Sequence, residues 1–471
     1  MIPRRYQVKK EAATIIERGH PWLFREQMST AAQVFEDGAW LRLVDGTNRV
    51  IGHGIYEAEG AIAVRMLRAG AARPDAAWVR GQVATALGKR ASLAHQTDAI
   101  RLINGESDGL AAVVVDRFAD TLVVASYAPG ADALARYVAM VLAAAARGTL
   151  TLAVTAAPEA EGDSAATQPI EIIGEHFEPE SELESGLTMP IGVMSDATAA
   201  QLAQSTPSTS TPPAPPAPPA PPAPSTPADM TAIIGRATNV ILRPARRRRG
   251  PPTSQRTLRG TAPPTVEFHE DGRTMAVDLA GGHKTGTYLD LRGLRRALVA
   301  SRLAGARVLN LFAYTGMLGR AAELAGAKQI QHVDQSARAL AFAATHHVGA
   351  ASHHTFTVAD VFEWLPSLAE TEQFELVIVD PPAMASKQTQ IPAVLAAYRK
   401  LYRAAARHVV SGGAIVAACC TSRIDRELFK RTVREALGAG FHLERDVPPE
   451  ADHPVGFPQA DYLKIALWRR S

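Results

Sequence analysis

Apolar positions in the first seventy residues alternate in short runs broken by Gly and Asp, the pattern of half-buried strands rather than of helices. Runs at 40–44, 50–56 and 62–67 predict three strands, the first closed off by Asp45-Gly46. Together they predict a small N-terminal β-barrel over residues 1–72. Residues 73–280 mix both periods. A turn of Gly and Asp at 104–109 precedes strand runs at 111–116 and 121–127, an apolar helix follows at 132–147, and another strand run stands at 239–242. This predicts one α+β unit, interrupted between about 151 and 236. From about residue 295 the pattern becomes strand runs alternating with helical stretches, the strands at 307–312, 329–334, 354–359, 376–380 and 414–418. Such alternation predicts an α/β, doubly wound (Rossmann-like) domain over 281–471, its parallel sheet covered on both faces.

Composition changes this picture in one place. Residues 159–184 are strongly acidic and run into Pro-Pro-Ala repeats at 212–224. A segment with one charge sign, few aromatics and a polyproline repeat cannot bury a core, so 151–236 is expected to be a disordered insertion, not a domain. From Gly148 to Gly235 there are 11 acidic residues and no Lys or Arg. The rest of the chain then holds 50 basic against 36 acidic residues, about +14, although the whole carries only +3. That excess suits a polyanionic partner such as a nucleic acid. An ordinary basic surface would carry it too.

Hydrophobic residues make up 46% of the 471-residue chain and charged residues 21%, as in folded water-soluble proteins. The longest apolar run, at 137–146, is half the length of a membrane helix, and the N-terminal residues lack a secretory apolar core. No membrane partner and a cytoplasmic location are expected. The only cysteines, Cys419 and Cys420, are adjacent, which excludes a disulfide framework. No metal-ligand spacing is present.

The candidate chemistry lies at strand ends. The first doubly wound strand runs into Ala313-Tyr314-Thr315-Gly316 and the second ends at Asp334, about twenty residues on. A Gly-containing turn lets backbone approach a ligand, and a carboxylate at that spacing accepts ribose hydroxyl protons. Neither the full dinucleotide fingerprint nor a phosphate-cradling Gly-Lys-Ser/Thr is present, which favours an adenosyl ligand without a pyrophosphate: S-adenosylmethionine. Asp360, followed by Val361 and Phe362, suits an adenine amino group against an apolar wall, or equally a helix cap. The fourth strand ends in Asp380-Pro381-Pro382, a rigid acceptor-rich edge for a planar substrate. Ala383-Met384 follow where an aromatic would stack on a base undergoing amine methylation. Cys419 and Cys420 end the next strand; either is a small buried hydrophobe or a nucleophile. A thiolate adding at carbon 6 of a cytosine makes carbon 5 nucleophilic, and a second group must then remove the carbon 5 proton.

These segments resemble the bacterial large-subunit ribosomal RNA methyltransferase I family, over nearly the whole chain apart from the insertion. The likeness is carried by Gly19-His20-Pro21-Trp22-Leu23-Phe24, Arg101-Leu102-Ile103-Asn104, Glu106-Ser107-Asp108-Gly109-Leu110, Gly282-His283-Lys284-Thr285-Gly286, Tyr288-Leu289-Asp290, the stretch Leu309 to Gly316, Asp380-Pro381-Pro382, Asp452-His453-Pro454 and Tyr462-Leu463-Lys464. The resemblance implies a PUA-like RNA-binding domain, a central α+β domain and a class I methyltransferase domain forming 5-methylcytosine. It places the nucleophile at Cys420, with Cys419 standing where the family has Ser, and Asp380 beside the target base. It implies a cofactor site of Lys284, Thr285, Gly286, Tyr288, Asp290, Arg292, Asn310, Phe312, Tyr314, Thr315 and Gly316, with Asp334, Asp360 and Asp380. The chain departs from the family at Leu291, Gly293-Leu294 and Ala383-Met384. Ribosomal RNA is the implied partner, docked through Arg4, Arg5, Arg18 and His20, while Trp22 reads as core; the basic run Arg246, Arg247, Arg248 and Arg249, just past the insertion, is either a phosphate-binding patch or a solvated linker face. A homodimer is left open. Methylation of another RNA base, and a non-catalytic RNA-binding assembly factor, are the alternative readings.

Overall fold

The computed structural model describes residues 3–28, 35–153, 226–245, 254–349, 353–385 and 388–471. Residues 154–225, which include nearly all of the expected insertion, and the arginines Arg246, Arg247, Arg248 and Arg249 lie outside the described residues.

The N-terminal strands are β1 (Arg4–Gln7), β2 (Trp22–Phe24), β3 (Trp40–Val44), β4 (Val50–Tyr56) and β5 (Ile62–Ala69), with helix α1 at Lys10–Glu17. They form one sheet in the order β1-β3-β4-β5-β2. Leu41 and Leu43 alternate with Arg42 along β3, so the leucines reach a core with Tyr6, Ile16 and Met66 while Arg42 points to the other face.

The central sheet runs β10 (Arg256–Arg259), β9 (Asn239–Arg243), β8 (Thr121–Ser126), β7 (Val113–Phe118), β6 (Ala99–Asn104). Helices α2 (Ala76–Gly88), α3 (Asp132–Ala146) and α4 (Pro227–Ile234) pack on it. Helix α4 corrects the expected extent of the insertion. Met230, Ile233 and Ile234 are buried in the central core, so ordered structure resumes near 226 rather than 236. The apolar triad was hidden behind the proline repeats, whose composition dominated the segment. A hairpin, β11 (Thr265–Glu270) and β12 (Arg273–Asp278), follows. Its two-residue loop is Asp271-Gly272, both at positive φ, the geometry that a tight hairpin turn selects.

The last sheet has the order β15 (His353–Val358), β14 (Gln329–Asp334), β13 (Arg307–Leu311), β16 (Phe374–Val379), β17 (Val409–Cys419), β19 (Lys464–Arg470), β18 (Phe441–Val447). The first five are parallel, and β19 lies antiparallel between β17 and β18. Helices α5 (Arg292–Val299) and α6 (Met317–Leu324) cover one face, and α8 (Val361–Ser367), α9 (Ile391–Ala406) and α10 (Arg426–Leu437) the other. Helix α7 (Ala337–His346) packs on β14 and β15. The chain moves outward from β13 to β15 and then returns to β16, so the order reverses between β13 and β16. A crevice opens at such a switch point, beyond the carboxyl ends of the strands.

Buried charges tie the central unit to this domain. Arg292, fully buried, donates from Nη1 to Asp452 Oδ2 at 3.0 Å and from Nη2 to the Ala99 carbonyl at 2.5 Å, with Glu270 at 3.3 Å. The Arg101 backbone N–H donates to the same Asp452 oxygen at 3.0 Å, and Arg90 donates to the Asp452 carbonyl at 3.0 Å. Breaking one member of such a set leaves a bare buried charge and costs about 3–5 kcal/mol.

Candidate active site

The crevice at the switch point is a cavity of about 440 Å³. Each parallel strand delivers one part of its wall. The turn after β13 supplies Phe312, Ala313, Tyr314 and Thr315; β14 ends in Asp334; Asp360 to Phe362 follow β15; Asp380 to Ala383 follow β16; Cys420 follows β17. The segment between β12 and α5 closes the site with His283, Lys284, Tyr288 and Asp290, and Tyr462 and Leu463 enter from ahead of β19.

Three strained backbone positions line this cavity. Lys284, Phe312 and Tyr314 have φ of 53°, 57° and 48°. Non-glycine residues persist in that region only where their surroundings fix them, often at ligand sites. Tyr314 is fixed from both ends. Its backbone N–H donates to Asp334 Oδ2 at 2.8 Å, while its hydroxyl accepts from the His283 N–H at 2.8 Å and donates to the Gly286 carbonyl at 3.1 Å.

Several expected cofactor residues lie elsewhere. Thr285 is fully buried and donates its hydroxyl to Asp116. Arg292 is held in the charge cluster with Asp452, away from the cavity wall. Asn310 is fully buried beside His332, with Nδ2 and Nδ1 3.2 Å apart. Gly286 contributes its carbonyl to Tyr314 rather than a surface to the cavity. Gly316 lies under the turn, where its φ of 75° and the Ala343 methyl, 2.8 Å from any added Cβ, both require glycine. These five support the wall from behind. Sequence spacing locates a motif without saying which of its side chains face inward.

Asp360 does two things at once. One oxygen accepts the Phe362 N–H at 2.8 Å and caps α8, and the residue also lines the cavity beside Phe312 and Phe362, whose rings meet edge-on at 5.5 Å. Tyr462 is the contact that sequence spacing did not find. Its hydroxyl donates to Asp290 Oδ2 at 2.6 Å from 172 residues away.

The two thiols have opposite surroundings. Strand β17 sends Ile415, Ala417 and Cys419 into the core under α9 and α10, and Cys419 is fully buried. Cys420, one residue past the strand end, lines the cavity and donates to the Pro381 carbonyl at 3.4 Å. Burial, and then the neighbouring Asp380 charge, push the Cys420 thiol up to about 12. Burial and the nearby Asp290 raise Asp380 to about 7, and Lys284 opposes this only in part. Burial works against the Asp290 charge as well, yet His453, Lys284, Arg101 and the Tyr462 hydroxyl hold it below the ordinary carboxylate range. The two carboxylates are thus pushed apart, one anionic and the other poised near neutrality.

S-adenosylmethionine fits this wall. Asp334 accepts one backbone N–H on each oxygen, from Tyr314 and Ser336, and keeps lone pairs for ribose hydroxyls. Phe312, Val361 and Phe362 with Asp360 suit a flat base bearing an amine. Oδ1 of Asp290 is buried without a hydrogen-bond partner among the described residues, which suits an ammonium group.

The sequence profile of the S-adenosylmethionine-dependent methyltransferases matches residues 226–469, more than half of the chain. The chain belongs to that family. S-adenosylmethionine is its cofactor, and a PUA-like domain profile matches residues 7–69. The ribosomal RNA large subunit methyltransferase of Deinococcus radiodurans is 26% identical over 98% of this chain and 96% of that protein. The ribosomal RNA large subunit methyltransferase I of Shewanella amazonensis is 35% identical over 47% of this chain and 58% of that protein. A candidate methyltransferase solved with S-adenosylhomocysteine superposes with a TM-score of 0.69 at 18% identity, covering 99% of this chain and 100% of that one, and so shares the fold.

The residues expected to meet RNA divide. Arg4, Arg5 and Arg18 are exposed. His20 is half-buried against Trp22, Phe24 and Phe457, with Nε2 3.2 Å from Gln459 Oε1, and it serves as a contact between the N-terminal and methyltransferase domains. Trp22 is half-buried at the same junction and donates from Nε1 to Glu106 at 2.9 Å.

Proposed function

We propose that this methyltransferase forms 5-methylcytosine in large-subunit ribosomal RNA, through a covalent adduct on Cys420. The observation that carries the reading is that Cys420 and Asp380 line the same cavity as Asp334 and Asp290, while Cys419 is confined to the core. The relatives in Deinococcus and Shewanella, both called ribosomal RNA large subunit methyltransferases, support ribosomal RNA as the substrate.

The bound cofactor supplies an electrophilic methyl group. Cys420 adds as a thiolate to carbon 6 of a cytosine turned out of its stack, forming a C–S bond and placing electron density on carbon 5. Asp380, near neutrality, takes the thiol proton and returns it to the ring nitrogen, which keeps the adduct neutral. Once carbon 5 carries the methyl group, a carboxylate of the Asp290–Asp380 pair removes the carbon 5 proton. The C–S bond then breaks, the ring nitrogen gives up the proton it received, and the departing sulfur takes it to restore the Cys420 thiol. Pro381 and Pro382 hold the Asp380 carboxylate at the cavity edge.

Nucleoside mass spectrometry of ribosomal RNA tests the reading. A strain lacking this protein should lose one 5-methylcytosine from its large-subunit RNA, and the wild-type gene should restore it. An unchanged 5-methylcytosine content would contradict it.

A further inference from the structure

The strand register of the N-terminal sheet sets basic residues side by side. Arg5 of β1 pairs with Arg42 of β3, Arg42 with His53 of β4, and His53 with Arg68 of β5. Adjacent strands lie about 4.8 Å apart, so the row extends about 14 Å across four strands. It runs over the face opposite Leu41 and Leu43, which occupy the core. Arg5 and Arg42 are exposed and Arg68 is half-buried.

Among the described residues no carboxylate neutralises this row. Arg5 donates to the Asn48 side-chain oxygen at 2.8 Å and Arg68 to the Arg73 carbonyl at 3.5 Å; none of Arg5, Arg42 and Arg68 meets a carboxylate among the described residues. Like charges opposite one another across a ladder destabilise a sheet. His53, in their midst, is 4% exposed. Its Nε2 faces the Ala71 carbonyl at 3.2 Å, while its Nδ1 is buried without a partner among the described residues. Burial, and then the charges of Arg73, Arg42 and Arg68 from the flanking strand and turn, lower its pKa, opposed by the bond to Ala71. The imidazole is therefore biased toward its neutral form in the free protein.

We propose that Arg5, Arg42 and Arg68, ranged about His53, form a docking row for the phosphate backbone of the RNA. The inference rests on the RNA reading above and adds a surface to it. Phosphates opposite Arg5 and Arg42 remove the repulsion between these neighbouring strands. They also offset the arginine charges that add to the effect of burial on His53, so its pKa rises on binding and a proton is taken up as the pH falls. Contacts of this kind position the RNA without reading its sequence.

The test uses the full chain and two fluorescein-labelled RNAs of equal length, a transcript of large-subunit ribosomal RNA and a scrambled version. Arg42→Ala and Arg68→Ala should each weaken binding of both RNAs by about 3- to 10-fold. Each should also reduce the slope of log affinity against log salt by about 0.7–0.9 per lost phosphate contact. Arg42→Lys should keep most of the affinity, and Arg399→Ala, on α9, should change nothing. Wild-type affinity should rise as the pH falls from 8 to 6, and His53→Gln should abolish that rise. S-adenosylmethionine affinity, unchanged in every variant, reports that the chain is folded. Wild-type binding with an unaltered Kd and salt slope in the Arg42→Ala/Arg68→Ala double variant would overturn the row and leave the RNA reading standing. A wild-type chain that binds neither RNA would overturn both.

Discussion

The sulfur of Cys420 donates to the carbonyl oxygen of Pro381 across 3.4 Å, so the ends of β16 and β17 bring a thiol to the peptide that follows the Asp380 carboxylate. Cys419, its neighbour in the chain, is sealed in the core beneath the sheet. The strand's period of two separates them. Residues 415, 417 and 419 share one buried face, and the chain leaves the strand at 420.

That separation predicts unequal effects for two similar substitutions. Cys420→Ala should lower kcat by about 1,000-fold or more, because the addition step loses its nucleophile. Cys419→Ala should keep kcat within about twofold and cost about 1 kcal/mol of stability from the small void it leaves. Single-turnover methylation and urea denaturation of both variants check this. Loss of activity in Cys419→Ala alone would reverse the assignment.

The raised Asp380 pKa predicts a pH profile and a stability change of defined sign. As the acceptor of the thiol proton, Asp380 works as a carboxylate, so kcat/KM should fall as the pH drops below about 7. Because the folded-state pKa lies above the unfolded one, the stability linked to this group is present below pH 4 and lost as pH rises through about 7. Asp380→Asn should therefore be inactive, and it should raise the melting temperature at pH 8 more than at pH 5. Calorimetry at the two pH values measures the difference.

Asp334 is expected to hold the cofactor's ribose. Asp334→Ala should weaken S-adenosylmethionine binding by about 1.5–3 kcal/mol, roughly 10- to 150-fold, the loss expected for one hydrogen bond to a charged group. It also frees the Tyr314 and Ser336 amides, so the turn after β13 should become more mobile. Isothermal titration reads the affinity, and amide exchange at Tyr314 reads the turn.

Arg292 is expected to act on stability and not on the cofactor. Arg292→Met leaves Glu270, Glu450 and Asp452 without their shared cation and should cost about 3–5 kcal/mol. The affinity of the remaining folded protein for S-adenosylmethionine should stay within twofold. A selective loss of cofactor binding at unchanged stability would place Arg292 in the site after all.

The doubly wound sheet was legible because its central parallel strands are buried on both faces and so appear as largely apolar runs, as at 308–311 and 376–379. Strands β18 and β19 were not. Phe441–Val447 exposes four of its seven residues at an edge and lacks the buried-strand pattern, and the buried apolar run of Lys464–Arg470, at 465–468, is only four residues long between charges. Helix α4 was masked by the proline repeats before it. Within the site, carboxylates at strand ends could be found from spacing, because the fold fixes where a strand end points. The inward or outward aim of Thr285, Arg292 and Asn310 could not, because it depends on Asp116, Asp452 and His332, each supplied by a different element. Tyr462 and His453 act on Asp290 from more than 160 residues away, a relation that only the folded chain displays.

The most direct measurement is covalent trapping on a ribosomal RNA transcript carrying 5-fluorocytosine, in the presence of S-adenosylmethionine. Fluorine at carbon 5 blocks the elimination that frees the enzyme, so the protein should remain attached to the RNA through Cys420. A denaturation-resistant adduct that forms with wild type and Cys419→Ala, is absent with Cys420→Ala, and maps to Cys420 by peptide mass spectrometry is the predicted result. An adduct that persists in Cys420→Ala, or methylation of unmodified transcript without any adduct on the fluorinated one, would contradict the mechanism.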